Sequence, residues 1–133
     1  MEFSLETADF GLHMELRIFD DEKGCPSDTI TSVEVESHGF SGRASMDISV
    51  KELIKFADDL SGIYECLTGK ARLRETFGNM YISFAGDGRG HIGVEGMLSM
   101  DCHCLEFENI VDQTDMKEFS DKLRKALSVY RAE

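Results

Sequence analysis

The sequence predicts an α+β fold, in which a curved, mainly antiparallel sheet of about seven or eight strands carries two amphipathic helices. Most of the chain alternates apolar and polar residues, as strands with one buried face do. Two other segments repeat their apolar residues at helical spacing. The order along the chain is strands, helix, strands, helix. Because every element has a single apolar face, packing the helices against the sheet buries these faces together.

The first half of the chain contains the clearest strand patterns. A short strand is predicted to start at Phe3, and a longer one spans Phe10–Phe19. The apolar face of the longer strand comprises Leu12, Met14, Leu16 and Ile18. The acidic segment Asp20–Asp28 is rich in turn-forming residues and predicts a loop. Two more alternating strands are predicted at Ile30–His38 and at Phe40–Ile48, the latter with Phe40 on its apolar face.

A helix is predicted to follow these strands directly. Ser49 and Glu52 have the spacing of a capping box, in which each side chain accepts a hydrogen bond from the other residue's backbone amide. The apolar residues at helical spacing behind this box are Leu53, Phe56, Ala57, Leu60, Ile63, Tyr64 and Leu67. Gly69 is predicted to end the helix, since glycine readily adopts the left-handed conformation of a helix end.

The second half repeats the strand-rich pattern and ends in another helix. Strands are predicted at Lys70–Glu75, Met80–Phe84 and His91–Met100, and one more strand follows them. The last helix is predicted to open with a capping box formed by Asp115 and Glu118. Its apolar stripe comprises Met116, Phe119, Leu123, Leu127 and Tyr130. The residues expected to be buried against the sheet are Leu53, Phe56, Leu60, Leu67, Phe119, Leu123 and Leu127.

The length and composition of the chain are those of one folded domain, predicted to span residues 1–133. No apolar run approaches the roughly 20 residues that cross a membrane. The first residues also lack the basic start and the apolar stretch of a signal peptide. These features predict a cytoplasmic protein without a membrane partner. Its four cysteines are therefore expected to be free thiols.

The charge of the chain is strongly negative and uneven. The formal net charge is −12, and residues 1–67 hold fifteen acidic residues against five Lys and Arg. A surface of this sign repels phosphates, so nucleic acid is not an expected partner. The same charge attracts a basic protein over a long range and accelerates its association.

The segment Cys102–Cys104 is the main candidate for a metal site. Thiolate and imidazole are zinc ligands, but a tetrahedral site usually takes them as two pairs separated by two to four residues. On a strand, His103 points away from the two thiols, and the sequence holds no second pair. The sequence therefore predicts no cofactor. A small metal-binding or enzymatic domain that uses Cys102, His103, Cys104 and His91 is the alternative.

The glycine-rich segment Gly86–Gly93 has the composition of a phosphate-binding loop without its context. Such a loop stands between a strand and a helix N-terminus. This segment connects two predicted strands and carries Asp87, so a hairpin turn is predicted instead. The sequence contains no signature of an activated nucleophile, and it therefore favours a binding protein over an enzyme.

Several stretches of the chain have distinctive sequences. They are Gly39–Gly42, Val50–Leu60, Ile63–Tyr64, Leu67–Ala71, Gly86–Gly96, Leu105–Phe107 and Asp112–Thr114. The most specific are Gly-Asp-Gly-Arg-Gly-His-Ile at 86–92 and Asp-Gln-Thr at 112–114. The combination resembles the WapI family of immunity proteins, small bacterial proteins that neutralise the cognate secreted toxin of a polymorphic toxin system. The resemblance covers roughly residues 33–127 and implies that the chain binds a toxin domain and occludes its active site.

The acidic charge fits this resemblance, because many such toxins are basic nucleases. Glu15 is predicted to project from the polar face of its strand, and Glu34 and Glu36 from the polar face of theirs. If these strands pair through the intervening loop, one side and rim of the sheet carry the predicted contact residues Glu15, Asp20, Asp21, Glu22, Glu34 and Glu36. An accessory binding domain with a different role is a further alternative.

Overall fold

The computed structural model describes residues 1–20, 26–76 and 78–130, with only the backbone given for residues 19, 20 and 26–28. Within these ranges the chain forms eight strands, two α-helices and a terminal 3₁₀ turn. The first half consists of β1 (Glu2–Glu6), β2 (Phe10–Asp20), β3 (Pro26–Ser37), β4 (Phe40–Ser49) and α1 (Val50–Cys66). The second half consists of β5 (Thr68–Arg74), β6 (Tyr81–Asp87), β7 (His91–Met100), β8 (His103–Asp112), α2 (Gln113–Leu127) and the turn Ser128–Tyr130.

The strands form two antiparallel sheets of four strands each. The N-terminal sheet has the order β1-β2-β3-β4, and the C-terminal sheet has the order β5-β6-β7-β8. Each half of the chain is therefore a meander that leads into a helix. The predicted class, strand number, helix number and element order are confirmed. The sequence predicted one sheet, whereas the strands form two, because α1 stands between β4 and β5 and these two strands do not pair.

The N-terminal sheet buries the face that the alternating pattern predicts. Leu12, Met14 and Leu16 of β2 are buried, as are Val33 and Val35 of β3. Two details differ from the sequence-based expectation. The predicted loop is too long, because β3 already begins at Pro26; residues 21–25 lie outside the described part. Phe40 is on the apolar side of β4 but 71% exposed, since it is the first residue after the β3–β4 turn, at the end of the sheet.

The sequence predicted that the first helix begins at a capping box at Ser49 and ends at Gly69. Ser49 is the N-cap of α1, and its side chain accepts a hydrogen bond from the Glu52 amide at 3.2 Å, as predicted. Gly69 does not end the helix. The end is at Leu67, which adopts φ 64° and donates its N–H to the Ile63 carbonyl at 2.8 Å. Leu67 is consequently half-buried, not buried, and Gly69 belongs to β5.

The second helix begins earlier than predicted. Its N-cap is Asp112, which accepts a hydrogen bond from the Thr114 amide at 3.3 Å. The proposed capping box of Asp115 and Glu118 is therefore wrong. The reason is that β8 runs directly into α2, so its last residue also serves as the helix cap. Cys102 likewise lies in the turn before β8 and not on the strand.

The core lies between the two sheets and the two helices. Its buried helix residues are Leu53, Phe56, Ala57, Leu60 and Ile63 of α1 and Met116, Phe119, Leu123 and Leu127 of α2. At its centre the ring of Phe84 on β6 lies 5.8 Å from that of Phe56 and 6.5 Å from that of Phe119, measured between centroids. Apart from Leu67, the seven residues expected to be buried against the sheet are confirmed as buried, whereas Tyr64 and Tyr130 of the predicted stripes are half-buried.

One buried polar side chain joins the two sheets. The amide nitrogen of Asn109 on β8 donates to Ser37 Oγ at 2.9 Å and to the Asp9 carbonyl at 3.2 Å. Its oxygen accepts from the Ile110 amide at 2.8 Å. These bonds fix the position of β8 relative to the β1–β2 turn and the end of β3, because a buried amide is costly without partners. No helix in the described part of the chain is long and apolar enough to span a membrane.

Candidate functional site

The outer face of the N-terminal sheet carries rows of polar side chains that cross all four strands. The antiparallel register places neighbours side by side from β1 to β4. The first row is Glu6, Gly11, Glu36 and Ser41; the second is Ser4, His13, Glu34 and Arg43; the third is Glu2, Glu15, Ser32 and Ser45. A shorter fourth row contains Arg17, Ile30 and Asp47. This face thus gathers residues from four strands into one patch.

Acidic side chains predominate on this patch, which we call the acidic face. It is defined by Glu2, Glu6, Glu15, Glu34, Glu36 and Asp47. Only Arg17 and Arg43 oppose them among the described side chains of these rows. Every one of the acidic residues except Glu34 is exposed. The acidic face therefore has an excess of negative charge that a partner can reach.

The pairing of Glu34 distinguishes it from its neighbours. Arg43 approaches Glu34 Oε2 with Nη2 at 2.8 Å and Nε at 3.1 Å. Glu15 and Glu36 make no ion pair with any described residue. Because a bound guanidinium cancels much of a carboxylate's field, Glu15 and Glu36 contribute more to the potential outside the protein than Glu34 does.

The structure brings together three of the six predicted contact residues. Glu15, Glu34 and Glu36 share the acidic face, as the alternation predicted. Asp20 ends β2, but its side chain is not described, and Asp21 and Glu22 lie outside the described residues. Sequence reasoning missed Glu2, Glu6 and Asp47. Their alternation with buried neighbours on β1 and β4 was a readable signal, but their proximity required knowing that both strands belong to this sheet.

Three side chains on the acidic face are linked by hydrogen bonds and have the composition of a catalytic triad. Ser4 Oγ lies 2.9 Å from His13 Nδ1, and His13 Nε2 lies 3.0 Å from Glu6 Oε1. A triad also needs donors aimed at the oxyanion that forms beside the serine, in a site sheltered from water. The side chain of Glu6 is 65% exposed and that of His13 44%. We interpret this chain as a set of surface hydrogen bonds.

A second constellation lies in the β6–β7 hairpin. The carboxylate of Asp87 accepts hydrogen bonds from the backbone amides of Arg89 at 2.6 Å and His91 at 3.2 Å. The Arg89 amide, with a smaller contribution from His91, holds the pKa of Asp87 below its usual value and keeps this carboxylate ionised. Gly88 and Gly90 adopt φ 84° and 97°, which favour glycine. The predicted hairpin is confirmed.

This hairpin is also bonded to the ends of both helices. Gly88 donates its amide to the Leu67 carbonyl at the end of α1 at 2.8 Å. At the start of α2, the Gln113 amide donates to the Gly90 carbonyl at 2.8 Å, and its side-chain nitrogen donates to the Tyr64 carbonyl at 2.9 Å. The segments 86–92 and 112–114 therefore meet at one place and hold α1, the hairpin and α2 together.

Comparison with known proteins decides the family. Residues 4–131 match the model of the immunity protein WapI-like family, which is nearly the whole chain. The chain belongs to this family. No curated protein sequence matches the chain significantly.

Among solved structures, the WapI-like chain resembles WHY1 from Arabidopsis thaliana. The TM-score is 0.55, with 7% sequence identity over 96% of this chain and 88% of that chain. At this identity the likeness concerns the fold alone. The four-strand meander followed by a helix, repeated once, is thus an architecture shared with a protein of very different sequence.

In this WapI-like chain, the segments 86–92 and 112–114 hold the fold together. A side chain at Gly86 would collide with the backbone carbonyl of Leu67 and approach Ile63 Cγ2 to 3.1 Å. Asp112 caps α2, and Gln113 bonds the hairpin. These residues explain how the fold is held, whereas the acidic face lies on the other sheet. The segments 86–92 and 112–114 are therefore distinct from the residues that we consider for binding.

The close contact between Gly86 and the Leu67 carbonyl leads to a paired prediction. Gly86→Ala is expected to lower the free energy of unfolding by about 1–3 kcal/mol, because the new methyl group overlaps backbone that has no room to move. Gly62→Ala in α1 is the matched control: its methyl group meets nothing within 4 Å. It should raise the free energy by about 0.5–1 kcal/mol, as alanine does in a helix interior. Urea denaturation measures both; a loss at Gly62 equal to that at Gly86 would refute the steric explanation.

The four residues of the alternative metal site do not come together in this WapI-like chain. His103 pairs with Met100 at one end of the β7–β8 hairpin, and His91 pairs with Asp112 at the other. The two ends are nine residue steps apart along the strand, which corresponds to roughly 30 Å. Cys102 and Cys104 are exposed near His103. In the described ranges, no group of three or more His, Cys, Asp or Glu is arranged to hold a metal ion.

Proposed function

We propose that residues 1–133 form one immunity domain that binds its cognate secreted toxin in the bacterial cytoplasm and neutralises it by occluding the toxin's active site. Membership of the WapI-like family, matched over residues 4–131, is the observation that carries this proposal. The domain then acts by stoichiometric binding, without catalysis and without a cofactor.

The acidic face supports a more specific partner, a basic toxin such as a nuclease. A nuclease neutralises substrate phosphates with clusters of Lys and Arg, which makes its cleft basic. On the acidic face, Glu2 lies opposite Glu15 on adjacent strands whose backbones are about 5 Å apart, and Glu34 and Glu36 are about 7 Å apart along β3. Such an array offers several cations a partner at once. It can therefore occupy the phosphate-binding cleft and exclude the nucleic acid.

The direct test is neutralisation of a toxin by this chain, and the proposal predicts that the gene of this secreted toxin lies beside the gene of the chain. The C-terminal toxin domain of that neighbouring gene is expressed in bacteria from an inducible promoter, with and without this chain. Growth should be restored only when the chain is present, and the two purified proteins should form an equimolar complex. If the toxin domain kills equally in both strains and the proteins elute separately, the proposed function is wrong for this toxin pair.

A further inference from the structure

The outer face of the C-terminal sheet separates its charges by strand. Its three central rows are Lys70, Ala85, Gly93 and Ile110; Arg72, Ser83, Glu95 and Glu108; and Arg74, Tyr81, Met97 and Glu106. All three cations are on the edge strand β5, and the acidic residues are on β7 and the opposite edge strand β8. Apart from the exposed Glu95 on β7, the middle of the face carries small or half-buried side chains.

These charges have no partners of opposite sign within the described chain. Lys70, Arg72 and Arg74 are exposed and form no ion pair, and the same is true of Glu106 and Glu108. The distance across the sheet explains this: β5 and β8 are three strand spacings apart, about 14 Å. At that separation the two sets of charges cannot pair within one copy, so both remain open to a second molecule.

Two further features show that this face is suited to contact. Ile110 is 66% exposed although it is a large apolar residue, and it lies in the row of Lys70. The Arg72 guanidinium lies 4.4 Å from the centroid of the Tyr81 ring, which orders the arginine and directs it across the face. The face is therefore a partly ordered, partly apolar surface with a charge gradient.

We propose that this face pairs with the same face of a second copy of the chain. In this dimer the C-terminal sheets of the two copies stack face to face. A two-fold axis that lies between these stacked sheets and runs parallel to their strands keeps each row at the same height and reverses the strand order. It sets β5 of one copy against β8 of the other. Arg72 then faces Glu108 of the partner subunit, and Arg74 faces Glu106 of the partner subunit, each pair occurring twice by symmetry.

The charge pattern selects this axis over the other one available to stacked sheets. An axis perpendicular to the strands places β5 over β5, so that three cations meet three cations. The axis parallel to the strands instead sets the cations of β5 against the carboxylates of β8 at both edges. It also puts Tyr81 opposite Met97 of the partner subunit near the centre. Sheets stacked in this way pack about 10 Å apart, within reach of Arg and Glu side chains. The acidic face on the N-terminal sheet stays free in this dimer.

Sedimentation velocity of the full chain over a range of concentrations tests the proposal with charge-swap variants. The wild-type chain should be a reversible dimer. The double variant Arg72→Glu/Arg74→Glu should dissociate, with a dissociation constant at least about 10-fold higher, and so should Glu106→Arg/Glu108→Arg. The quadruple variant that combines all four changes should dimerise again, because every pair is then restored with reversed sign.

If a double variant were monomeric because it had unfolded, two further substitutions would not restore the dimer. Recovery of the dimer in the quadruple variant therefore separates broken charge pairs from loss of folding. Circular dichroism confirms that each variant is folded. A wild-type chain that stays monomeric at about 100 μM, or a dimer unaffected by the double changes, would overturn the proposal. The outcome is independent of toxin binding, since the double variant Arg72→Glu/Arg74→Glu should still neutralise the toxin as a monomer.

Discussion

Replacing Phe84 with alanine is expected to lower the free energy of unfolding by about 3–5 kcal/mol. The ring is fully buried and lies between those of Phe56 on α1 and Phe119 on α2. Its loss removes apolar contacts and leaves a cavity where both helices meet the C-terminal sheet. Phe56→Ala and Phe119→Ala should have effects of similar size. Denaturant titration followed by circular dichroism measures the change, which is a large part of a domain's stability.

Phe40→Ala is the matched control, since it removes the same side chain from a position that is 71% exposed. Its effect should stay within about 0.5 kcal/mol, as for most surface substitutions. Comparable losses at Phe84 and Phe40 would show that the three-ring cluster is not the centre of the core.

Glu15→Gln/Glu36→Gln should slow association with the cognate toxin about 3- to 10-fold at low ionic strength and much less at moderate salt. Both side chains are exposed on the acidic face and make no ion pair with a described residue, so their fields extend into solvent. Long-range attraction accelerates the encounter of opposite charges and is screened by salt. Glutamine keeps the size and polarity of each side chain. Stopped-flow mixing with the purified toxin domain at two salt concentrations gives both rates.

The control must change the net charge equally at another place. Glu65→Gln/Asp115→Asn does so on α1 and α2, where both side chains are exposed and neither makes an ion pair with a described residue. It should leave the association rate within about a factor of two, because both helices pack on the core side of the sheets, away from the acidic face. Equal slowing in both variants would mean that overall charge, and not the acidic face, attracts the toxin. No slowing in either would move the contact to another surface.

Glu34 is a less informative position for this experiment than the sequence suggested. On the strand pattern alone it is equivalent to Glu36, since both follow a buried valine. In the structure its carboxylate holds Arg43 through two hydrogen bonds. Neutralising Glu34 therefore also frees a cation, and two effects are measured together. The partner strand β4, and with it Arg43, could be assigned to Glu34 only once the register was known.

The two helix ends show why local patterns were insufficient there. Gly69 follows a helical stripe and has the right residue type for a C-cap, but Leu67 takes that role with φ 64°. The reason lies outside the helix: the Leu67 carbonyl accepts a hydrogen bond from Gly88, which holds the chain in its turn into β5. At α2 the cap moved to Asp112 because that residue also ends β8. Competition between neighbouring elements decided both ends.

The sequence by itself determined the class of the fold, the number and order of its elements and the buried face of each. Periods of two and of about 3.6 residues are properties of single strands and helices, so they can be read without knowing the neighbours. The family was also readable, from the segments 86–92 and 112–114. Only the tertiary structure decided which strands share a sheet, and therefore which charges meet. Pairing joins β1 and β4 to the acidic face and separates the cations of β5 from the carboxylates of β8, because hydrogen bonding between strands links residues that are distant along the chain.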